Sequence, residues 1–242
     1  MRPLSLSSSL KAVVWDLDGT LYYQRRLRLI MLRELTAFCL RHPLRIREVL
    51  AVREFRRIRE SWDEGEARAL FASDPSEQSA FDAADLSDRQ YKYTARRMKL
   101  SEAEVRASVE TWIYKKPLEF LRSCRDETAA QLFRQLKAEA IGCYIFSDYP
   151  VAEKLKALDM EADGYYSATE ERLGVLKPDP KGLILIMEDH KLEPGQLLMI
   201  GDRDSRDGEA ARRAGCEYLI LSSSKRKRRR QYEALRDSLG IR

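Results

Sequence analysis

The chemistry in this chain begins in KAVVWDLDGTLYY, residues 11–23, where apolar Val13, Val14 and Trp15 give way to Asp16, Leu17, Asp18 and Gly19. An unpaired carboxylate buried beside such a run costs on the order of several kcal/mol or shifts its pKa until it is neutral. Alternate strand side chains share a face, so Asp16 and Asp18 can serve one site, and Gly19 lets the chain turn sharply out of a sheet. Two anions this close call for a cation. Ser147 in FSDYP, Lys177 in LKPDP, and Asp202, Asp204 and Asp207 in MIGDRDSRD add a hydroxyl, an ammonium and three more carboxylates. Hard oxygen ligands suit Mg²⁺, which often takes only one or two carboxylates together with phosphate and water. A phosphoryl group so held can be attacked in line by an aspartate.

These residues need elements that bring them together. Apolar spacing from Leu27 through Phe38 and from Val49 through Trp62 is helical, with a break at RHPLR, where Pro43 suits a first helical turn. Ser87 with Gln90 and Ser101 with Glu104 have capping-box spacing, and Asp74-Pro75 has turn chemistry, so residues 25–116 read as α-helical. From residue 126 helices alternate with short apolar strands. DETAAQLFRQLKAEAIG reads as a helix stopped by Gly142, CYIFSD as a strand, and GYYSAT, QLLMIGD and EYLILSS as further strands separated by helices. Such alternation predicts a Rossmann-like α/β core, a parallel sheet covered on both faces with its site at the carboxyl ends of the strands. Core segments 1–24 and 117–242 would then flank an inserted α-helical cap, 25–116.

In this order DLDGT, Ser147, KPDP and GDRDSRD resemble the four motifs of the haloacid dehalogenase (HAD) superfamily of phosphohydrolases, in its phosphoglycolate-phosphatase-like branch. The resemblance spans residues 11–24 and 126–222 and implies an aspartyl-phosphate mechanism. It makes Asp16 the nucleophile and Asp18 the acid that protonates the leaving oxygen and then the base that activates water. Ser147 would bond a phosphoryl oxygen, and Lys177 would offset charge on the phosphoryl group and on Asp16. Mg²⁺ would be held by Asp16, Asp202 and the backbone carbonyl of Asp18, with Asp207 in support. The dehalogenases that named the superfamily lack an acid at the second position and need no metal, which disfavours dehalogenation here. The fourth motif reads GD-x4-D, one residue longer than in many such relatives. The helix GEAARRAG favours Asp207 over Asp204 as its second acid, which leaves Asp204 as either an alternate ligand or, the preferred reading, a loop residue that caps the helix start.

The chain has 242 residues, 44% of them hydrophobic, and a net charge of +5, enough to bury a sizeable core without demanding a nucleic-acid partner. MRPLSLSSSL does not read as a cleaved signal peptide, and no apolar run approaches a membrane span. Cys39, Cys124, Cys143 and Cys216 form no CxxC pair, which fits reduced thiols in the cytoplasm. His42 and His190 lack metal-ligand spacing. Eleven arginines against four glutamates between Arg25 and Glu60 offer either a solvated helical face or an anion-binding lid for a small phosphorylated substrate with a second anionic group. KRKRRR, 225–230, precedes a short helix and has no interleaved aromatics, so nucleic-acid binding is disfavoured. The alternatives to a phosphatase are a phosphotransferase or mutase on the same chemistry, and a non-catalytic protein binding nucleic acid or an acidic partner through its basic segments.

Overall fold

The computed structural model describes residues 10–241; the N-terminal segment read above as lacking a signal peptide lies outside them. Five strands, β1 (Ala12–Trp15), β2 (Gly142–Ser147), β3 (Gly164–Ser167), β4 (Leu197–Gly201) and β5 (Glu217–Ile220), form one parallel sheet in the order β3-β2-β1-β4-β5. β1 lies between β2 and β4, with Val13 opposite Cys143 on one side and Leu198 on the other. The chain winds outward from β1 to β3 and then restarts at β4. The strand order therefore reverses between β1 and β4, where α/β folds open a crevice at the carboxyl ends.

The helices are α1 (Gln24–Arg41), α2 (Ile46–Glu60), α3 (Glu64–Ala69), α4 (Pro75–Asp82), α5 (Leu86–Met98), α6 (Glu102–Val109), α7 (Leu118–Cys124), α8 (Glu127–Ala138), α9 (Ala152–Leu158), α10 (Lys181–His190), α11 (Glu209–Ala214) and α12 (Lys225–Ser238). Residues Leu27–Phe120 make one compact unit and the segments flanking them make the other. In the second unit, Val14, Phe146, Leu197 and Met199 pack with Leu183 and Ile186 of α10 and with Ala210 and Ala211 of α11 on one face of the sheet. On the opposite face Trp15 meets Phe133 of α8 and Tyr232 of α12, with ring centroids 5.6 and 6.1 Å apart. In the helical unit, Phe55 of α2 stacks on Tyr91 of α5 at 4.9 Å, and Phe71, Phe81 and Tyr93 close a second apolar cluster. Among the described residues no helix is long and apolar enough to cross a membrane.

The chain departs from the sequence reading at four local points. Gly142 opens β2 rather than stopping α8, which ends at Ala138 and reverses through Ala140 at φ 58°. Ser101 and Glu104 form the expected capping box, but Ser87 lies inside α5, whose cap is Asp85, and Gln90 instead accepts a bond from buried Arg59. Nearby backbone donors let Asp85 act two residues earlier than the spacing suggested. KRKRRR does not precede a helix; it forms the first turns of α12, with Arg228 buried 3.5 Å from Asp126. Arg59, which the sequence leaves to either a solvated face or an anion-binding lid, is buried as well.

Candidate active site

β1 delivers the first acids to the crevice. The Asp16 amide still donates to Ile200 O at 2.8 Å, as a ladder bond would, and the chain turns only at Gly19, φ 102°. The Asp16 carboxylate accepts from Lys177 Nζ at 2.5 Å and from the Thr20 hydroxyl at 3.0 Å. Lys177 reaches it from the loop before α10 and donates also to Asp207 at 2.6 Å and to the Phe146 carbonyl at 3.2 Å. Its backbone amide donates to Asp148 at 2.9 Å, and Arg206 donates to its carbonyl at 2.6 Å, so the lysine is held at both ends.

β4 delivers the second set. Carboxylate oxygens of Asp16, Asp202 and Asp207 lie within 4.8 Å of one another. Asp207 sits in a π-helical turn, Asp204–Gly208, and accepts from the amides of Asp202 and Arg203 at 3.2 and 3.0 Å. One oxygen of Asp207 thus binds the loop and the other binds Lys177. Asp202 is different: its Oδ1 is buried and has no hydrogen-bond partner among the described residues, with Arg203 Nε 4.0 Å away. A Cβ on Gly19 would collide with the Asp202 carboxylate, so only glycine lets the two loops approach this closely. Asp204 points elsewhere, to Arg212 at 3.0 Å, and Arg203 occupies the cap position; the expected capping by Asp204 is replaced by an ion pair.

The Asp18 side chain stands outside the three-carboxylate group. It accepts from Lys154 of α9 at 2.6 and 2.8 Å and from the Tyr22 hydroxyl. Burial alone would raise its pKa, but Lys154 and then Tyr22 outweigh burial and hold it below the usual carboxylate value. Ser147, at the end of β2, is buried and accepts from the Tyr149 amide at 3.1 Å, which leaves its hydroxyl proton free to donate. The structure therefore gathers Asp16, Lys177, Asp202 and Asp207 in direct contact or within a few ångströms. It adds Thr20, Tyr22, Asp148, Lys154 and Arg206, which the sequence reading did not single out. Thr20 belongs to the DLDGT motif itself, whereas Lys154 looks like any exposed helical lysine until the fold buries it.

This cluster fits a divalent cation. Among the described residues Lys177 pairs with Asp16 and Asp207 only, Asp202 Oδ1 lacks a hydrogen-bond partner, and every donor is a hard oxygen. Burial, then the charges of Asp207 and Asp202 against that of Lys177, push the Asp16 pKa upward; burial and Asp207 do the same to Asp202. An acid raised in the folded state binds more protons than it does unfolded, so the contribution of Asp16 to stability falls as pH rises between the ordinary 3.8 and about 8, and that of Asp202 changes in the same direction. The metal-free protein is accordingly expected to lose stability across that window, and saturating Mg²⁺ to flatten the dependence. Thermal melts from pH 5 to 8, with and without Mg²⁺, check this; parallel curves would contradict it.

The family model for haloacid dehalogenase-like hydrolases matches residues 10–215, and the chain belongs to that family. A search of curated proteins finds no match. Among solved structures, it is similar to a 2-haloacid dehalogenase from Pseudomonas syringae pv. tomato, with TM-score 0.56, 16% identity, and 88% of this chain and 86% of that one covered. It is similar also to a HAD-superfamily hydrolase of subfamily IA, variant 1, from Geobacter sulfurreducens, with TM-score 0.52, 18% identity, and 90% and 89% covered. A third likeness is to a predicted phosphoglycolate phosphatase from Haemophilus somnus, with TM-score 0.52, 18% identity, and 91% and 88% covered. At these identities the likeness fixes the fold, and the choice among hydrolase reactions falls to the residues of the site.

Proposed function

We propose that this hydrolase is a cytoplasmic, Mg²⁺-dependent phosphatase that cleaves a small phosphate monoester through an aspartyl-phosphate. The observation that carries the reading is the pairing of Asp16, held by Lys177 and Thr20 beside Asp202 and Asp207, with a second acid, Asp18, two residues along. A dehalogenase needs a nucleophile but no acid at that second position; a phosphatase needs both. When bound, Mg²⁺ would be held by Asp16, Asp202 and the Asp18 carbonyl, with Asp207 in support, and would neutralise phosphoryl charge.

In the first step an Asp16 oxygen attacks phosphorus and the ester P–O bond breaks, while Asp18, having taken up a proton from solvent in the substrate complex, gives that proton to the departing oxygen. In the second, Asp18 takes a proton from water as that water attacks the aspartyl-phosphate, releasing inorganic phosphate and restoring Asp16. Lys177 keeps Asp16 oriented and offsets charge throughout; Ser147 donates to a phosphoryl oxygen. A screen of phosphorylated metabolites with and without Mg²⁺, run beside Asp16→Asn, tests the reading. Metal-dependent phosphate release lost in the variant supports it, and a folded wild-type protein that releases no phosphate from any ester refutes it. Faster transfer to an added alcohol than to water would point to a phosphotransferase instead.

We read the arginines of the helical segment as recognising a second anion on the substrate. Arg25, Arg26, Arg28 and Arg33 are exposed on α1, and guanidinium groups grip carboxylate or phosphate with two hydrogen bonds. Charge reversal such as Arg28→Glu is expected to raise KM for a phosphate monoester that carries a second anionic group by about tenfold, some 1.4 kcal/mol, while leaving an aryl phosphate without such a group nearly unchanged. Added salt should erode the same preference. Equal losses on both substrates would return the arginines to a solvated face.

A further inference from the structure

The surroundings of Asp18 assign a role to a residue that no motif contains. Lys154 lies on the first turn of α9, is buried, and places its ammonium on both Asp18 oxygens, at 2.6 and 2.8 Å. Its Nζ also stands 5.1 Å from the centre of the Tyr149 ring, the residue whose amide holds Ser147. Among the described residues Asp18 is the only carboxylate with which Lys154 forms an ion pair. Tyr22 donates its hydroxyl to the same carboxylate, at the Oδ1 that Lys154 also holds.

Stability alone is a poor account of this arrangement. A buried ion pair must offset the desolvation of both charges, and a well-packed apolar pair often does as well. What the pair adds is geometry. An aspartate otherwise turns about two side-chain bonds, whereas a carboxylate bonded at both oxygens by one ammonium and at one of them by a phenol has a single orientation. Acid–base catalysis is sensitive to this, because misplacing a reacting group by an ångström costs about a hundredfold in rate.

We propose that Lys154 is a positioning residue for the acid–base step, holding the Asp18 carboxylate in the orientation from which it serves the leaving oxygen and then water. The proposal rests on the phosphatase reading. It predicts an effect that depends on the leaving group: protonation by Asp18 matters for an alkoxide and little for a nitrophenolate, which departs unaided.

The test compares wild type, Lys154→Met, Lys154→Arg and Tyr22→Phe by kcat/KM on phosphate monoesters whose leaving groups run from nitrophenol to a simple primary alcohol. Lys154→Met is expected to lose about 10- to 100-fold on the alkyl ester and several-fold less on the nitrophenyl ester, with KM little changed. Lys154→Arg should recover part of the alkyl activity, since a guanidinium can also address both oxygens. Losses of one size on every ester, or none, would make Lys154 merely structural and overturn the proposal. If circular dichroism shows Lys154→Met unfolded, the same comparison falls to Lys154→Arg and Tyr22→Phe, for which a leaving-group-dependent loss supports the proposal and a uniform or absent one overturns it. A wild-type protein inactive on every ester would overturn the phosphatase reading and this proposal with it. An active wild type with unaltered variants would overturn this proposal alone.

Discussion

Asp16→Asn is expected to abolish turnover while leaving the protein folded. An amide nitrogen or carbonyl oxygen is far too weak a nucleophile to displace an alkoxide from phosphorus, so kcat should fall on the order of 10⁴-fold or more. The fold should tolerate the change because both present partners can be kept. The carbonyl of the substituted amide can accept from Lys177, as Asp16 Oδ1 does at 2.5 Å, and its NH₂ can donate to Thr20 Oγ, which at present donates to Asp16 at 3.0 Å. The variant also removes one of three clustered carboxylates, two of which share the Lys177 ammonium, so its metal-free melting temperature should equal or exceed that of wild type. Acid-quenched wild-type enzyme should carry one phosphoryl group on the peptide containing residue 16, and the variant none. Retained turnover in a folded variant would remove Asp16 from the nucleophile's role.

The parts of this molecule that were readable from sequence are those governed by local rules. Strand-sized apolar runs separated by helices led directly to a parallel sheet, and acids placed after β1 and β4 meet because those strands are neighbours across the point where the strand order reverses. Asp16 and Lys177, 161 residues apart, touch for the same topological reason. Local rules failed where two signals competed. Gly142 looked like a helix stop, but α8 had already turned at Ala140, and glycine is needed at 142 because a Cβ there would meet the Tyr144 ring at 2.8 Å. Ser87 and Gln90 had the right spacing for a capping box, but Asp85 was available earlier and Gln90 was required opposite buried Arg59. By sequence KRKRRR stands ahead of a helix, whereas it forms the first turns of α12, and helical spacing lets Arg228 alone of the run turn inward to Asp126. Lys154 illustrates the limit most clearly. Nothing in EKLKAL distinguishes it from Lys156, and only the path of α9 over the end of β1 brings one lysine, and not the other, to Asp18.

Lys177→Met should have the largest effect on stability of any single change in the site. The ammonium is completely buried and serves two buried carboxylates, Asp16 at 2.5 Å and Asp207 at 2.6 Å, with Asp202 close by. Burial by itself would lower the lysine's pKa, yet the adjoining carboxylates, Asp16 foremost, raise it, so it stays charged throughout the physiological range. Methionine fills nearly the same volume without the charge, and breaking a buried pair from one side costs about 3–5 kcal/mol, because the carboxylates left behind can neither ionise comfortably nor find new donors. Two additions should restore stability by independent routes. Asp207→Asn in the same chain removes one of the orphaned charges while its amide oxygen can still accept from the Asp202 and Arg203 amides, so the double variant should be more stable than the sum of the single changes implies. Mg²⁺ supplies positive charge to the same acids and should raise the variant's urea midpoint further than it raises that of wild type. Urea titrations of the four proteins, with slopes compared to confirm a common unfolded state, measure each quantity. A loss below about 1 kcal/mol in Lys177→Met, or strict additivity in the double variant, would mean that Asp16 and Asp207 do not depend on this lysine and that the three-acid cluster is held together by something else.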